Sequence, residues 1–220
     1  MLNIVIFDGG YGGEFFADSL EAELPITNII RVIDWRHADQ YVSSPRAARY
    51  YANLALRPYI GRVDLIILAN HLLSLTSLKY FRRKYPGQKF LGLALKKPDT
   101  FVKRNTVVIT TKAVARTIEY HGFVFKLKRK TKTIAVDTWP AKIDDGELSL
   151  QDVDEAFRDL SLSKNFQPQE IILGCSQFEE IKPMLRQIFG KRLKIYSSFD
   201  DTIRATCKAL HIRGSLRKIK

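Results

Sequence analysis

The sequence predicts an α/β protein built of two similar lobes with mostly parallel sheets, and three observations support this prediction. Short apolar runs alternate with amphipathic segments along the chain, as in a parallel sheet covered by helices. The eight runs are many for one open sheet in 220 residues. A weak internal repeat divides them, because "VDLIILANHL" and "QEIILGCSQF" both lead from an acidic residue through an apolar strand into small and polar residues.

In the first lobe, predicted over residues 1–97, the apolar runs are short and continuous, as in buried parallel strands. They are "NIVIF" (3–7), "IIRVI" (29–33), "VDLIILA" (63–69) and "KFLGLA" (89–94). The segments between them carry apolar residues at helical spacing, which predicts helices. These are "EFFADSLEAEL" (14–24), "SPRAARYYANLALRPYI" (44–60) and "LTSLKYFRRKY" (75–85).

The second lobe, predicted over residues 98–199, repeats this alternation. Its strand candidates are "TVVIT" (106–110), "GFVFKL" (122–127), "EIILG" (170–174) and "LKIYS" (193–197). Its helix candidates are "KAVARTIEY" (112–120), "SLQDVDEAFRDLSLS" (149–163) and "QFEEIKPMLRQIF" (177–189). A last helix, 200–212, is expected to return to the first lobe. Each lobe is then flavodoxin-like, and ligands would bind in an inter-lobe cleft beyond the carboxyl ends of the strands.

The composition is that of a globular protein, with 45% hydrophobic and 27% charged residues. No apolar run reaches the length of a membrane span, and no signal-peptide core precedes Asp8, so we expect a cytoplasmic protein without membrane contact. The two cysteines and four histidines form no CxxC or other metal-ligand spacing. We therefore expect reduced thiols and no metal.

The chain carries a formal net charge of +13, which raises the question of a nucleic-acid partner. Basic residues concentrate in "KLKRKTK" (126–132) and in the tail "RGSLRKIK" (213–220). Such patches can bind phosphate, but no RNP, KH, zinc-finger or helix-turn-helix signature accompanies them. The charge indicates a solvated basic surface, and nucleic acid is not expected as a partner.

The loop "DGGYGG" (8–13) follows the first strand and leads into a helix. Glycines at such a place let a ligand approach the backbone, and the start of a helix attracts an anion. The spacing matches neither GxGxxG nor the P-loop, which disfavours a nucleotide. Two interpretations stay open: capture of a carboxylate by backbone N–H groups, and a tight turn required by packing.

Cys175 stands where a strand meets a helix. Ser176 and Glu179 have the spacing of a capping box, which would make Ser176 the N-cap and place the Cys175 sulfur at the positive end of the helix. That position would lower the thiol pKa and favour proton transfer. The alternative is a small buried core residue, as cysteine often is. Cys207, in the middle of the last helix, is expected to be a core residue.

Several segments resemble motifs of the cofactor-independent aspartate/glutamate racemase superfamily, and of glutamate racemases in particular. In chain order they are "IVIFDGGYGG" against that family's FDSGxGG, "VDLIILANHLLS" against VDxIVIACNTAS, "ITTKAVARTIEY" against GTPATVxSxxY, "AVDTWPAKIDDG" (135–146) against ACPxxxPxVExG, and "IILGCSQF" against LGCTHYP. Their order and spacing cover nearly the whole chain. The resemblance implies that family's two-lobed α/β fold.

In that family two thiols exchange protons with the substrate Cα atom from opposite faces, without a cofactor. Cys175 matches the second thiol, whereas the first falls on Asn70, or on Ala69 if the alignment slides by one residue. Asp8 matches a family residue that poises a thiol, and Gln177 replaces a family histidine. By resemblance, the residues expected to bind substrate are Gly9, Gly10, Asn70, Thr111, Ser176 and Gln177.

Three functions remain open from the sequence. The first is a racemase for a small acidic amino acid or dicarboxylate, glutamate above all, which would supply cell-wall peptidoglycan precursors. Its catalytic residues would be Cys175, Asp8 and His71, since His71 lies one residue beyond the missing thiol and an imidazole exchanges protons near neutral pH. For His71 the alternative is capping or packing at the turn. A homodimer is compatible with the resemblance.

The second function is that of a decarboxylase-like enzyme in which Cys175 alone protonates an enediolate. Gly9, Gly10 and Ser176 could then supply contacts to the oxyanion. The third is a catalytically inactive homologue that binds a ligand or a protein partner, as the loss of the first thiol would allow. No cofactor is required by any of the three.

Overall fold

Two four-stranded parallel sheets organise the chain in the computed structural model, which describes residues 1–25, 27–93, 95, 105–127, 131–161 and 166–212. One unit comprises Met1–Ala94 with Ser198–Lys220, and the other comprises Leu95–Ser197. The strand order is β2-β1-β3-β4 in the first unit and β6-β5-β7-β8 in the second. This shared order is that of flavodoxin-like sheets, and all strand pairs are parallel. The predicted α/β class is confirmed.

The first unit alternates strands and helices and adds the last helix of the chain. Its elements are β1 (Leu2–Asp8), α1 (Gly12–Glu23), β2 (Thr27–Ile33), α2 (Ala38–Ser43), α3 (Pro45–Leu56), β3 (Leu65–Leu68), α4 (His71–Lys84), β4 (Phe90–Gly92) and α10 (Ser198–Ala209). A 3₁₀ turn, Trp35–His37, precedes α2.

The second unit has the same alternation with shorter helices. Its elements are β5 (Thr106–Thr110), α5 (Lys112–Ala115), α6 (Ile118–Leu127), β6 (Thr131–Ala135), α7 (Trp139–Asp144), α8 (Leu150–Ser161), β7 (Glu170–Gly174), α9 (Lys182–Phe189) and β8 (Lys194–Tyr196). A 3₁₀ turn, Ser176–Ile181, joins β7 to α9.

The central strands of each sheet are buried on both faces, which is why they read as continuous apolar runs. In the first unit, alternate residues of β1 and β3 enter two separate hydrophobic clusters. One face carries Ile4, Ile6, Leu65 and Ile67, packed with α1 and α10 residues such as Phe16 and Phe199. The other face carries Val5, Phe7, Ile66 and Leu68, packed with α3 and α4 residues such as Leu56 and Phe81.

One predicted strand is wrong. Residues 122–127 belong to helix α6, and the edge strand of the second sheet is β6, at 131–135. The run "GFVFKL" is apolar and rich in β-formers, but the buried side chains of α6 are Tyr120, Phe123 and Leu127, at helical spacing. Strand β6 was not predicted, because its sequence "TKTIA" is polar at its start and Ile134 is its only buried residue. Helical periodicity therefore outweighed β propensity in this segment.

Helix boundaries differ from the predictions at several points. Helix α4 begins at His71, four residues earlier than predicted, and the predicted helix 112–120 is divided into α5 and α6. Helices α2 and α7 were not predicted, since each is only six residues long. The predicted lobe boundary after Lys97, part of the basic patch at 126–132 and the basic tail 213–220 lie outside the described residues.

The described residues contain neither a membrane-spanning helix nor a cluster of metal ligands. Within that part of the chain, no helix is both long and apolar enough to cross a membrane. Among the same residues, no group of three or more His, Cys, Asp or Glu side chains is placed to hold a metal ion.

Candidate functional site

Asp8 and Asn70 meet at the carboxyl ends of the neighbouring strands β1 and β3. The Asn70 Nδ2 atom donates to Asp8 Oδ1 at 2.9 Å, and the Gly9 amide donates to the same oxygen at 2.6 Å. Asn70 also caps α4, because its Oδ1 atom accepts from the Leu73 amide at 2.9 Å. The fold thus brings together three of the predicted residues, Asp8, Gly9 and Asn70, and the amide of Asn70 occupies the space beside the Asp8 carboxylate.

The glycine loop after β1 is held by close packing. A Cβ atom added at Gly9 would lie 2.6 Å from the Tyr41 ring, and one added at Gly13 would lie 2.6 Å from Asp8 Cβ. The Gly10 carbonyl accepts a hydrogen bond from the Gly13 amide at 3.3 Å. These contacts support the packing interpretation for Gly9 and Gly13, since neither position has room for a side chain.

His71 is the first residue of α4, and its side chain turns into the interior. The residue is 4% exposed, and its Nε2 atom lies 2.9 Å from the Ser198 hydroxyl oxygen at the start of α10. Burial lowers the pKa of His71 from 6.5 to about 3, so the imidazole is neutral at physiological pH. These features support packing at the turn, the alternative kept for His71, because a buried and barely basic imidazole is a poor acceptor of a substrate proton.

In the second unit, Cys175 follows β7 and is half-buried. Its thiol donates to Gln177 Oε1 at 3.0 Å, and the Gln177 Nε2 atom donates to Asp144 Oδ2 at 3.3 Å. The sulfur also packs against the hydrophobic cluster of this unit. Cys175 is therefore neither sealed in the core nor fully exposed, and a polar chain of two hydrogen bonds connects it to a carboxyl group.

Asp144, at the end of α7, was missed by the sequence analysis. Burial raises the pKa of this carboxyl to about 6, although the Gln177 hydrogen bond acts in the opposite direction. Its Oδ1 atom is buried without a hydrogen-bond partner among the described residues. The segment 135–146 had been matched to the family motif ACPxxxPxVExG, and Asp144 aligns with the glutamate of that motif, so it could have been singled out on that basis. Only the fold shows that it reaches Gln177.

The predicted capping box at Ser176 is wrong. Cys175 itself occupies the N-cap position, Ser176 is the first residue of a 3₁₀ turn, and no side-chain capping hydrogen bond is recorded there in the described chain. The turn is closed by the Phe178 amide, which donates to the Cys175 carbonyl at 3.2 Å. The hydrophobic core imposes this tighter geometry, because both Phe178 and Ile181 of the turn are fully buried.

Thr111 follows β5, the strand next to β7, and caps α5 by accepting from the Val114 amide at 3.3 Å. The preceding residue, Thr110, donates its hydroxyl to the Gly174 carbonyl at 3.1 Å, which ties the ends of the two strands together. Thr111, Cys175, Ser176 and Gln177 therefore follow adjacent strand ends of the second sheet, as the sequence analysis predicted for a parallel sheet.

A second cluster that the sequence analysis missed lies at the carboxyl end of β2. The His37 Nδ1 atom lies 2.9 and 3.0 Å from the two carboxylate oxygens of Asp34, and the Tyr41 hydroxyl donates to Asp34 Oδ2 at 2.5 Å. The segment 34–44 matched no motif. The signal available was the spacing, since residues three and seven apart share one face of a helical segment.

In sequence, the chain is similar to several glutamate racemases. No protein-family model matches the chain. The chain is 25% identical to glutamate racemase of Mycobacterium avium over 224 residues, which covers 96% of this chain and 79% of the relative. It is 24% identical to glutamate racemase of Mycobacterium leprae, covering 99% of this chain and 82% of the relative.

Several solved racemase structures have the same fold as this chain. Escherichia coli glutamate racemase, in complex with L-glutamate and the activator UDP-MurNAc-ala, superposes with a TM-score of 0.78 at 18% identity, covering 100% of this chain and 86% of that chain. Campylobacter jejuni glutamate racemase gives a TM-score of 0.78 at 21% identity over 100% and 89% of the two chains. A more distant neighbour, Picrophilus torridus aspartate racemase, gives 0.63 at 13% identity over 96% and 94%.

Proposed function

This chain is a relative of the glutamate racemases within the aspartate/glutamate racemase superfamily, and from that premise we propose that it transfers a proton at the Cα atom of a small acidic amino acid. Glutamate is the first candidate, because the sequence relatives named above are glutamate racemases and two structural neighbours were solved with glutamate bound. The proposal uses side chains of the protein alone, with no cofactor.

The observation that carries the proposal is the hydrogen-bond chain from Cys175 to Asp144. Because the Gln177 Nε2 atom is held by the Asp144 carboxyl, the amide of Gln177 turns its oxygen toward the thiol. That oxygen accepts the S–H proton and so orients the thiol. A thiol fixed in this way at the end of a central strand can give a proton to a carbanionic Cα, and its thiolate can take one away.

The remaining predicted residues are proposed to bind the substrate. Backbone N–H groups of the glycine loop and hydroxyl groups such as those of Thr111 and Ser176 are suited to carboxylates, as donors to charged oxygen atoms. The Gly9 amide already donates to Asp8, so of the two loop glycines Gly10 is the better donor for a ligand. By the same resemblance we propose that the product enters cell-wall peptidoglycan synthesis in the cytoplasm, and that the chain works as a homodimer.

The first unit favours a second candidate function, because the position matched to the other family thiol is Asn70. Asn70 is committed to the α4 cap and to Asp8, and its amide cannot exchange a proton with carbon. A one-thiol enzyme that loses CO₂ from a malonate and protonates the resulting enediolate at Cys175 would need no partner thiol. This reaction is the alternative that the experiment must separate from racemisation.

The experiment is proton exchange in D₂O with each enantiomer of glutamate and of aspartate, followed by loss of the Cα–H signal in proton NMR. We expect exchange with the wild-type protein, and a fall of about 100-fold or more in Cys175→Ser from at least one enantiomer. Cys207→Ser is the matched control, since Cys207 packs in α10 against the core of the first unit and should leave the rate unchanged.

Two results would contradict the proposal. Absence of exchange from all four amino acids with folded wild-type protein would exclude amino-acid proton transfer, and CO₂ release from malonates would then assign the decarboxylase function. Unchanged exchange in Cys175→Ser would remove Cys175 from the reaction. If neither activity is found, the inactive, ligand-binding function remains.

A further inference from the structure

A groove between helices α3 and α4 of the first unit combines positive charge with tyrosine rings. It has a volume of about 430 Å³, and the residues that line it are Arg46, Arg49, Tyr50, Asn53, Tyr80 and Lys84. The first four lie at positions i, i+3, i+4 and i+7 of α3 and therefore share one face of that helix. The last two are four positions apart on α4 and share a face as well. None of the described residues that line this α3–α4 groove is acidic.

Contacts with neutral groups hold two of the cations in the groove. The Arg49 Nη2 atom donates to the Thr76 carbonyl at 2.5 Å, and the guanidinium carbon lies 5.3 Å from the centroid of the Tyr80 ring. From α4, the Lys84 Nζ atom donates to Asn53 Oδ1 at 2.9 Å and lies 5.6 Å from the same ring centroid. These partners orient the two side chains without neutralising their charge.

The other two side chains that matter for a ligand face solvent. Arg46 is exposed, and no hydrogen bond or salt bridge of its side chain is recorded among the described residues. Tyr50 is 60% exposed, although its ring meets the Tyr51 ring edge to face at 5.2 Å. Cations without a carboxylate repel one another, and an exposed ring offers a flat apolar surface to water. A ligand with both negative charge and flat rings would therefore stabilise the groove.

Single-stranded nucleic acid has both properties, because its phosphates bind cations while its unpaired bases stack on aromatic side chains. Other anionic partners fit less well. Acidic peptide side chains would leave the Tyr50 ring without a partner. A DNA duplex presents phosphates but keeps its bases stacked inside the helix. An anionic membrane is a broad surface, and it would contact the two helices rather than the groove between them.

We propose that the α3–α4 groove binds single-stranded nucleic acid, with phosphates on Arg46, Arg49 and Lys84 and one base stacked on Tyr50. The inference goes beyond the proposed function and does not depend on it, because the groove contains none of the residues proposed for proton transfer. The expectation that nucleic acid is not a partner rested on the absence of known motifs and on the basic stretches 126–132 and 213–220. Neither stretch contributes to this groove, which the fold assembles from two helices that match no motif.

The first test measures the charge contribution. Binding of a fluorescein-labelled, twelve-nucleotide oligothymidine to the full chain is followed by fluorescence anisotropy between 0.05 and 0.2 M NaCl, and we expect wild-type protein to bind. The double variant Arg46→Gln/Lys84→Gln should bind about 10-fold or more weakly at 0.05 M NaCl. The slope of log affinity against log salt should become shallower by about 1.4, since each phosphate contact on a single strand contributes about 0.7.

Arg186→Gln/Lys191→Gln, which removes two exposed cations of the second unit, is the matched control and should keep the wild-type slope. Circular dichroism of each variant establishes that it is folded, as expected for substitutions at exposed positions.

The second test measures base stacking. Tyr50→Ala should weaken oligothymidine binding by about 5-fold or more, because a base loses its aromatic partner. It should leave the binding of inorganic polyphosphate, which has charge but no bases, unchanged in isothermal titration calorimetry. Tyr50→Phe retains the ring and should bind as wild type does. Tyr11→Ala, which removes an exposed tyrosine of the loop after β1, is the control and should also bind normally.

Four results would overturn the inference. The first is absence of oligothymidine binding by folded wild-type protein at 0.05 M NaCl. The second is unchanged binding in Arg46→Gln/Lys84→Gln, which would place the nucleic acid elsewhere on the basic surface. The third is an effect of that double variant with none of Tyr50→Ala, which would make the groove a general anion site and admit an acidic protein. The fourth is displacement of the oligomer by AMP at equal nucleotide concentration, which would assign a free nucleotide instead of a strand.

Discussion

At the scale of single residues, two histidines of the first unit show how strongly the surroundings of one kind of side chain can differ. His71 has lost its contact with water and gained one neutral hydrogen bond, to Ser198. His37 keeps a third of its surface exposed and has a carboxylate on Nδ1. The buried ring is barely basic, because burial lowers the pKa of His71 to about 3. The position of either histidine in the chain does not indicate this difference.

The buried histidine should make the protein sensitive to acid. Its pKa is about 3 when folded and about 6.5 when unfolded, so between these values the unfolded state binds the extra proton. The free energy of unfolding should therefore fall by about 1.4 kcal/mol per pH unit below 6.5 from this residue alone. We expect His71→Gln to reduce that slope, measured by urea unfolding at pH 7.5, 6 and 5.

His121→Gln is the control for this measurement, because it removes an exposed histidine of α6 and should leave the wild-type slope unchanged. The same pH dependence in wild type and His71→Gln would show that His71 is not held neutral by the fold.

At the scale of elements, polar residues after the strands serve first as helix caps. Asn70 caps α4 and Thr111 caps α5, each by accepting from an amide three residues on. Ser44 does the same for α3, at 3.1 Å from the Ala47 amide. Strand ends in a parallel α/β fold must turn directly into helices, so residues with side-chain acceptors are favoured there for stability as well as for ligands.

Variants of Asn70 can separate its contribution as the cap of α4 from that of its hydrogen bond to Asp8. Asn70→Ala should lower the free energy of unfolding by about 1–2 kcal/mol, because it removes the cap of α4 and leaves the buried Asp8 carboxylate with one donor fewer. Asn70→Ser retains a capping hydroxyl and loses only the contact with Asp8, so its loss should be smaller. Chemical denaturation of both variants measures the difference.

Ser44→Ala is the matched control, since it removes an exposed cap with no second contact and should cost at most about 1 kcal/mol. Equal stability of Asn70→Ala and wild type would show that neither bond of Asn70 supports the fold.

At the scale of the whole molecule, positive charge is unevenly distributed. Residues 40–95 hold nine Lys and Arg residues and one acidic residue, Asp64. Helices α3 and α4 contribute Arg46, Arg49, Lys79, Arg82, Arg83 and Lys84 and no acidic residue. No salt bridge recorded within the described residues involves a cation of these two helices. Part of the positive charge of the protein is therefore concentrated on α3 and α4, where the cations repel one another.

Salt should accordingly stabilise the first unit. Raising NaCl from 0.05 to 0.5 M shortens the screening length from roughly 14 to about 4 Å, which weakens repulsion between exposed cations. We expect the melting temperature to rise by about 2–4 °C. Arg83→Glu, which places an acidic residue among these cations, should raise the melting temperature at low salt and reduce its dependence on salt.

Arg186→Glu, at an exposed position of α9 in the second unit, is the control and should keep the salt dependence of the wild type. A melting temperature that is constant or falls as NaCl is added would contradict the interpretation of α3 and α4 as a repulsive surface.

The sequence by itself determined the α/β class, the central strands and the strand ends at which Asp8, Asn70, Thr111 and Cys175 lie. Those features depend on local periodicity and on the rule that parallel strands collect residues at their carboxyl ends. The sequence-based prediction was wrong over residues 122–135. There the edge strand β6 is only weakly apolar, and the helical spacing of α6 occurs in a segment rich in β-forming residues.

Only the tertiary structure decided what the polar residues contact. Asn70 bonds to Asp8 across 62 positions of the chain, and His71 meets Ser198 across 127. Asp144 reaches Gln177 only in the folded second unit, and His37 meets the carboxylate of Asp34 in a turn whose sequence matches no motif. Burial and hydrogen-bond partners set the charge and availability of a side chain, and both depend on how the chain folds, so composition alone could not assign these roles.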